Sequence, residues 1–153
     1  MATLAPATAA ALLAMFLALA WPPPAGATPE LLSPDAVLQA VNQYRQMRAL
    51  PVLAPHARLQ AIAQAHSGLM AMQDRLSHAG FDQRMALSEG TLCVENLAAG
   101  HTRADALLAH WQVSPSHHAN LLESQVQWVG VAVAGRYITL LACRLPAGAL
   151  LRG

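Results

Sequence analysis

Residues 126–144 read VQWVGVAVAGRYITLLACR, and this stretch decides the fold class. It contains two runs rich in β-branched and aromatic residues, 126–134 and 137–144, on either side of a break at Gly135. Two such runs joined by a short glycine-containing turn predict an antiparallel β-hairpin. The hairpin supplies two strands of an antiparallel sheet.

Helical patterns dominate the chain before the hairpin. Ser33, Pro34 and Asp35 form a helix start, with a capping hydroxyl, a first-turn proline and an acid at the positive end of the helix dipole. Long helices followed by a hairpin predict an α+β domain in which the helices cover an antiparallel sheet. Four helices are predicted before the hairpin: from Ser33 to before Pro51, over about 56–76, over 81–87, and from a capping box at Thr102 to about Ser114. In the third of these helices, Met85 and Leu87 are predicted to face inward. We also predict a short strand over 91–94 and a short turn or helix through Asn120 and Leu122.

The amino terminus has the pattern of an export signal. Residues 1–27 hold no ionisable side chain, an apolar run is followed by Pro22–Pro24, and Ala25, Gly26 and Ala27 form an A-x-A cleavage pattern. We therefore predict a signal peptide over 1–27 and one mature domain over 28–153, with its core at about 35–145. An uncleaved membrane anchor is the alternative, because the leader lacks Lys and Arg and about 18 apolar residues can span a bilayer. Either way the domain lies outside the cytoplasm.

Length, charge and cysteine content indicate how many domains the chain forms, whether it binds nucleic acid and whether it can form a disulfide. A chain of 153 residues suits a single core. Nine basic residues, all Arg, balance eight acids to a net charge of +1 without any run of like charge, which excludes an electrostatic footprint for nucleic acid. Cys93 and Cys143 are the only cysteines, and in an oxidising compartment they can form a disulfide.

Three polar positions interrupt the hydrophobic pattern: His78 in LSHAGF, Glu95 in CVENLAAG and His117 in SPSHHANLL. Imidazole and carboxylate together can bind a divalent metal, or act as a base with its orienting partner. The spacing is also compatible with unrelated surface residues. No GxSxG, phosphate-binding loop, CxxC or HExxH motif occurs. His66 falls on the buried face of the second helix, where we predict a hydrogen-bonded core histidine.

The order of segments resembles the CAP superfamily, which groups cysteine-rich secretory, antigen five and pathogenesis-related proteins, and specifically its bacterial SCP-like extracellular members. The matching segments cover about 35–144. The resemblance implies a three-layer α/β/α sandwich with an antiparallel sheet between helices. The segments are VNQYRQMRALPVLAPHARLQAIAQAHSGLMA, SHAGF, VENLAAG, HWQVSPSHHANLL and VGVAVAGRYITLLACR.

The resemblance also implies a cleft lined by two histidines and acids. By position, His78 and His117 match the two cleft histidines and Glu95 matches the first acid. Ser114 stands where animal and plant members have the second acid, which weakens any mechanism that needs two carboxylates. His118 stands where bacterial members usually have arginine.

Other residues receive structural interpretations. The Glu95 carboxylate has the alternative of accepting backbone N–H groups in a strand-to-helix junction. We expect turn and capping roles for Asn96 and Asn120, core positions for Trp111 and Trp128, and surface positions for His56, His101 and His110.

Three functions follow as hypotheses. The first is a noncatalytic extracellular binding module whose cleft holds a divalent metal such as zinc on His78 and His117, with Glu95 orienting one imidazole, or a small apolar ligand or lipid. The second is a metal- or histidine-dependent hydrolase. The third is a structural protein that contacts a cell-envelope component. In each case we expect secretion or a periplasmic location, no nucleic acid partner, and no membrane span after signal cleavage.

Overall fold

The computed structural model describes residues 32–147, so the predicted signal peptide over 1–27 lies outside the described residues. Within this range the chain alternates helices with short strands. Its elements are α1 (Pro34–Met47), β1 (Ala54–Pro55), α2 (Ala57–Gln73), α3 (Phe81–Ser88), β2 (Leu92–Ala99), α4 (Ala104–Val113), α5 (Pro115–Leu121), β3 (Trp128–Ala134) and β4 (Tyr137–Arg144).

The sheet has the strand order β1-β3-β4-β2. The predicted hairpin is β3 and β4, which pair antiparallel from Trp128↔Cys143 to Ala134↔Tyr137. Strand β2 pairs antiparallel with the other edge of β4, whereas the two-residue β1 runs parallel to β3. The predicted antiparallel sheet is confirmed, with β1 as its one parallel addition among the described strands.

Side-chain alternation along the strands separates two apolar layers, because successive residues point to opposite faces. Val129, Val131, Ile138 and Leu140 share one core with residues of α1, α4 and α5. On the opposite face, Leu141 and the cysteines pack against α2 and α3. Helices therefore cover both faces, and the predicted α/β/α sandwich is confirmed. The largest fully buried apolar side chains are Trp111, Leu59, Met70, Leu97, Leu107, Leu121, Ile138, Leu140 and Leu141.

Helix α2 crosses the sheet at very short range over Gly130. A Cβ at this position would lie 2.1 Å from the backbone carbonyl carbon of Leu59, so only glycine fits. The Gln60 side chain then bonds the exposed edge of β3: its amide donates to Val131 O at 2.7 Å and accepts from Val131 N at 3.1 Å. The helix thus satisfies backbone groups that the short β1 leaves unpaired.

A disulfide joins β2 to β4. Cys93 and Cys143 are direct partners in the antiparallel register and are covalently bonded, with a Cα–Cα distance of 4.1 Å. The predicted disulfide is confirmed. The described part of the chain contains no free cysteine.

Several local predictions were wrong. The strand predicted over 91–94 extends to Ala99. Leu87, expected inward, is 59% exposed, and Arg84 is buried on the inner side of α3 instead. Thr102 does not cap α4, because the N-cap residue is Arg103 and it makes no side-chain capping bond. Trp128, for which a core position was predicted, is half-buried and packs against the core cluster that contains the disulfide.

Within residues 32–147, no helix combines the length and the apolar character that crossing a bilayer requires.

Candidate functional site

The candidate site lies at strand β2, which ends the strand order of the described sheet. Because β2 is an edge strand, segments from both helical layers reach it. Helix α5 approaches from the α1 and α4 side and supplies His117, whereas the loop before α3 supplies His78. Together they border a cleft of about 410 Å³. The cleft is lined by His78, Phe81, Cys93, Val94, Glu95, Ser116, His117 and Asn120.

Glu95 is the buried anion of the cleft, with a side chain only 2% exposed. Arg84 binds it through two bonds of 2.6 Å, from Nε to Oε2 and from Nη2 to Oε1. His78 Nδ1 lies 2.9 Å from the same Oε1. The carboxylate therefore accepts from side chains, and the alternative in which it accepts backbone N–H groups is wrong. A buried carboxylate needs such charged partners to offset its lost hydration.

The contact with Glu95 determines which ring nitrogen of His78 is available to a ligand. A carboxylate held by Arg84 acts only as an acceptor, so the neutral form of His78 has its proton on Nδ1 and its lone pair on Nε2. The His78 side chain is 55% exposed. Its Nε2 is thus the nitrogen available to a ligand. Arg84 also fixes the loop itself, because Nη1 donates to Ala79 O at 2.8 Å.

Two asparagines dock α5 onto β2. Asn96 Nδ2 donates to the carbonyl of His117 at 3.1 Å, and Asn120 Nδ2 donates to Glu95 O at 3.1 Å and to Asn96 Oδ1 at 2.9 Å. The predicted turn and capping roles of these asparagines were wrong, because Asn96 is fully buried within the strand and Asn120 lies within the helix. Their bonds hold His117 beside Glu95.

The two cleft imidazoles face one another, with ring centroids 6.4 Å apart. Burial lowers the pKa of His117 below its usual value, and the nearby His78 and His110 lower it further. The His117 ring is therefore neutral near pH 7 and can offer a lone pair. Its Nδ1 is buried and has no hydrogen-bond partner within residues 32–147.

These residues fit half of a zinc site. Two imidazoles on one tetrahedral zinc, with Zn–N of about 2.0 Å, place their ring centroids about 5.2 Å apart. The half-exposed His78 ring must move by about 1 Å to reach that spacing. Within the described range, no group of three or more His, Cys, Asp or Glu side chains could hold a metal ion. Water or a ligand would have to complete the coordination of a metal held by His78 and His117.

Ser114, which stands where animal and plant CAP members have the second acid, does not line the cleft. It is half-buried at the junction of α4 and α5, and Ser116 lines the cleft instead. Sequence reasoning also missed Arg84. The one available signal was general: a buried glutamate requires a basic partner.

The remaining histidines have varied surroundings. His66 is buried and its Nε2 donates to Ser77 O at 2.9 Å, which confirms the predicted core histidine and holds the residue before His78. His118 Nε2 lies 2.7 Å from Tyr44 Oη. Of the three histidines expected at the surface, His110 is exposed, whereas His56 and His101 are half-buried, and that expectation was wrong for them.

The family model for the cysteine-rich secretory protein family, CAP, matches residues 38–137. The chain belongs to this family. Comparison with curated proteins gives no significant match.

Solved structures agree with a bacterial CAP fold. An extracellular protein containing an SCP domain from Bacillus anthracis is 28% identical, with a TM-score of 0.67 over 72% of this chain and 39% of that one. A cysteine-rich secretory protein from Staphylococcus aureus is 18% identical, with a TM-score of 0.64 over 72% and 38%. The chain therefore spans about two fifths of the length of these two proteins. An outer surface protein from Borrelia burgdorferi is 16% identical, with a TM-score of 0.68 over 78% of this chain and all of that one.

Proposed function

We propose that this CAP-family chain is a noncatalytic extracellular binding module whose cleft holds a divalent cation such as zinc between His78 and His117. The observation that supports this most is the bond of 2.9 Å between His78 Nδ1 and the buried Glu95 carboxylate. Such a bond fixes the tautomer and orientation of a metal-binding imidazole and increases its basicity. A second, neutral imidazole borders the same cleft.

The surroundings of Glu95 favour binding over hydrolysis. Its carboxylate already accepts two bonds from Arg84 and one from His78, so it is poorly placed to take a proton from water. Both cysteines are in the disulfide. Within residues 32–147 no serine or threonine hydroxyl is hydrogen-bonded to an imidazole, the arrangement that activates a hydroxyl nucleophile. The hydrolase hypothesis would therefore require an imidazole of the cleft, from His78 or His117, or a metal bound there to activate water.

The affinity for zinc should be modest. Two protein ligands are fewer than the three or four of established zinc sites. In addition, binding through His117 Nε2 would place the ring proton on the buried, unpartnered Nδ1, which costs about 1–3 kcal/mol.

A groove between α2 and α3 supports the second candidate, a small apolar ligand. It encloses about 620 Å³. The ion pair between Arg58 and Glu89 borders it, so an amphiphile would meet charged groups at that border. Its apolar lining consists of Ala61, Ile62, Ala65, Leu69, Ala79 and Leu87.

We further propose that the protein is exported, to the periplasm or to the exterior. The leader pattern over 1–27 supports this, as do the extracellular and outer-surface relatives. A role in contacting a cell-envelope component is compatible with the same location.

A calorimetric zinc titration near neutral pH tests the cleft, with His78→Ala, His117→Ala and the control Ser114→Ala, after their folding is checked. We expect saturable binding that each histidine substitution weakens and that Ser114→Ala, outside the cleft, leaves unchanged. Binding that is absent, or unaffected by both histidine substitutions, would contradict the metal proposal. A fluorescent fatty acid then tests the groove, and peptide and ester substrates test hydrolysis.

A further inference from the structure

A second pair of imidazoles lies outside the cleft. His101 is in the loop between β2 and α4, and His110 is on α4. Their ring centroids are 5.0 Å apart, with an angle of 51° between the ring planes. His110 is exposed and His101 is half-buried, so the pair is open to solvent on one side.

The loop that presents His101 is anchored on both sides. Gly100 adopts a left-handed backbone with φ of +82°, and its N–H donates to Arg136 O at 2.9 Å. On the other side, Thr102 O accepts from Leu32 N at 2.9 Å. The backbone that carries His101 is therefore held on both sides, which limits how far its ring can move from α4 and favours a preorganised ligand.

The distance between the His101 and His110 rings suits one shared metal better than the distance between the His78 and His117 rings does. Two imidazoles on a tetrahedral metal at about 2.0 Å have centroids about 5.2 Å apart. The observed 5.0 Å is close to this value, whereas His78 and His117 are 6.4 Å apart. We propose that His101 and His110 form a second divalent-metal site, separate from the cleft, for a cation that prefers imidazole ligands, such as Cu²⁺, Ni²⁺ or Zn²⁺.

The ligand atoms of the pair determine which cation the site would prefer. An all-nitrogen ligand pair selects against Mg²⁺ and Ca²⁺, which prefer oxygen. Because no group of three suitable side chains exists among the described residues, water would complete the coordination.

The site adjoins the cleft without being part of it. His110 and His117 have centroids 6.3 Å apart, so the four imidazoles form a row in the order His101, His110, His117, His78. A metal between the first two would lie one ring away from the cleft. The two sites can therefore be separated by substitutions in one pair at a time.

Zinc titration of the whole protein and of two double variants, His101→Gln with His110→Gln and His78→Gln with His117→Gln, tests the proposal. Calorimetry gives the number of bound equivalents. Histidine ring NMR shifts in the unsubstituted protein provide a readout that does not depend on any variant folding. We expect one equivalent to be lost in the His101 and His110 variant and retained in the His78 and His117 variant, and we expect the ring signals of His101 and His110 to shift together.

Each result has a distinct meaning. Unchanged stoichiometry and affinity in the His101 and His110 variant would overturn the second site while leaving the cleft proposal intact. Loss of all binding in both variants would indicate a single site that includes both pairs and would also overturn it. Retained zinc binding in the His78 and His117 variant, with ring shifts at His101 and His110 only, would support the second site even if the cleft binds nothing.

Discussion

Replacing Arg84 with methionine isolates the buried ion pair at the base of the cleft. The substitution replaces arginine by an unbranched apolar side chain, so it keeps an aliphatic stem at this position and removes the guanidinium. It breaks the two 2.6 Å bonds to Glu95 and the 2.8 Å bond to Ala79 O. What remains is a carboxylate, 2% exposed, whose one remaining side-chain partner in the described structure is the half-exposed His78.

The expected loss of stability is large. Removing one partner of a buried ion pair typically costs about 3–5 kcal/mol, because the other charge stays buried and uncompensated. Little allowance for solvent screening is needed, since the Arg84 side chain is only 10% exposed. A domain of this size has a total unfolding free energy of about 5–15 kcal/mol, so the single substitution should bring it close to the unfolding threshold.

Urea denaturation followed by tryptophan fluorescence measures this loss, and a double variant supplies the control. Arg84→Met combined with Glu95→Leu removes both charges, and such replacements are often neutral or stabilising. We therefore expect the double variant to be more stable than Arg84→Met alone. A single variant within about 1 kcal/mol of the original protein, or a double variant with additive losses, would refute the role assigned to the pair.

Three further predictions concern stability. Gly130→Ala should lower the unfolding free energy by about 1–3 kcal/mol or more, because the new methyl group would clash with the α2 backbone at Leu59. The control Gly68→Ala, which has open space around its Cβ, should not destabilise the domain. Reducing the disulfide should remove about 4 kcal/mol by freeing a loop with a sequence separation of 50, measured as a shift of the urea midpoint; an unchanged midpoint would contradict this. Acidification should also destabilise the domain, because burial lowers the pKa of His66, His101 and His117 and the unfolded chain therefore binds more protons below about pH 6.5. The unfolding free energy should fall from about pH 7.5 to about pH 5.5, and a constant value would contradict the lowered pKa values of these three histidines.

The hairpin and the helices could be predicted because local sequence and tertiary packing agree there. Strand β3 and strand β4 are rich in β-branched residues, and Ser33 caps α1 through a 3.1 Å bond from Ala36 N. Strand β2 was predicted too short because Glu95 and Asn96 are polar and disfavour strands in isolation. Their side chains find partners only in the folded chain, where they meet α3 and α5.

The site could be predicted only in part from sequence. The resemblance to CAP proteins indicated His78, Glu95 and His117, and the structure places all three around one cleft. Arg84 could not be found, because its partner lies on a different element 11 residues away. Leu87 was predicted inward because it is apolar, although helical spacing from Phe81 places Arg84 on the inner face. The proximity of His101 and His110 likewise depends on a loop whose path is set by long-range backbone bonds.

The most direct test of the cleft is a crystal structure of the protein grown with zinc, with anomalous data collected on both sides of the zinc absorption edge. We predict an anomalous peak about 2.0–2.1 Å from Nε2 of both His78 and His117, with Glu95 still bonded to His78 Nδ1. Zinc bound elsewhere with none between these two imidazoles would contradict the proposal that the edge of β2 forms one shared metal-binding cleft.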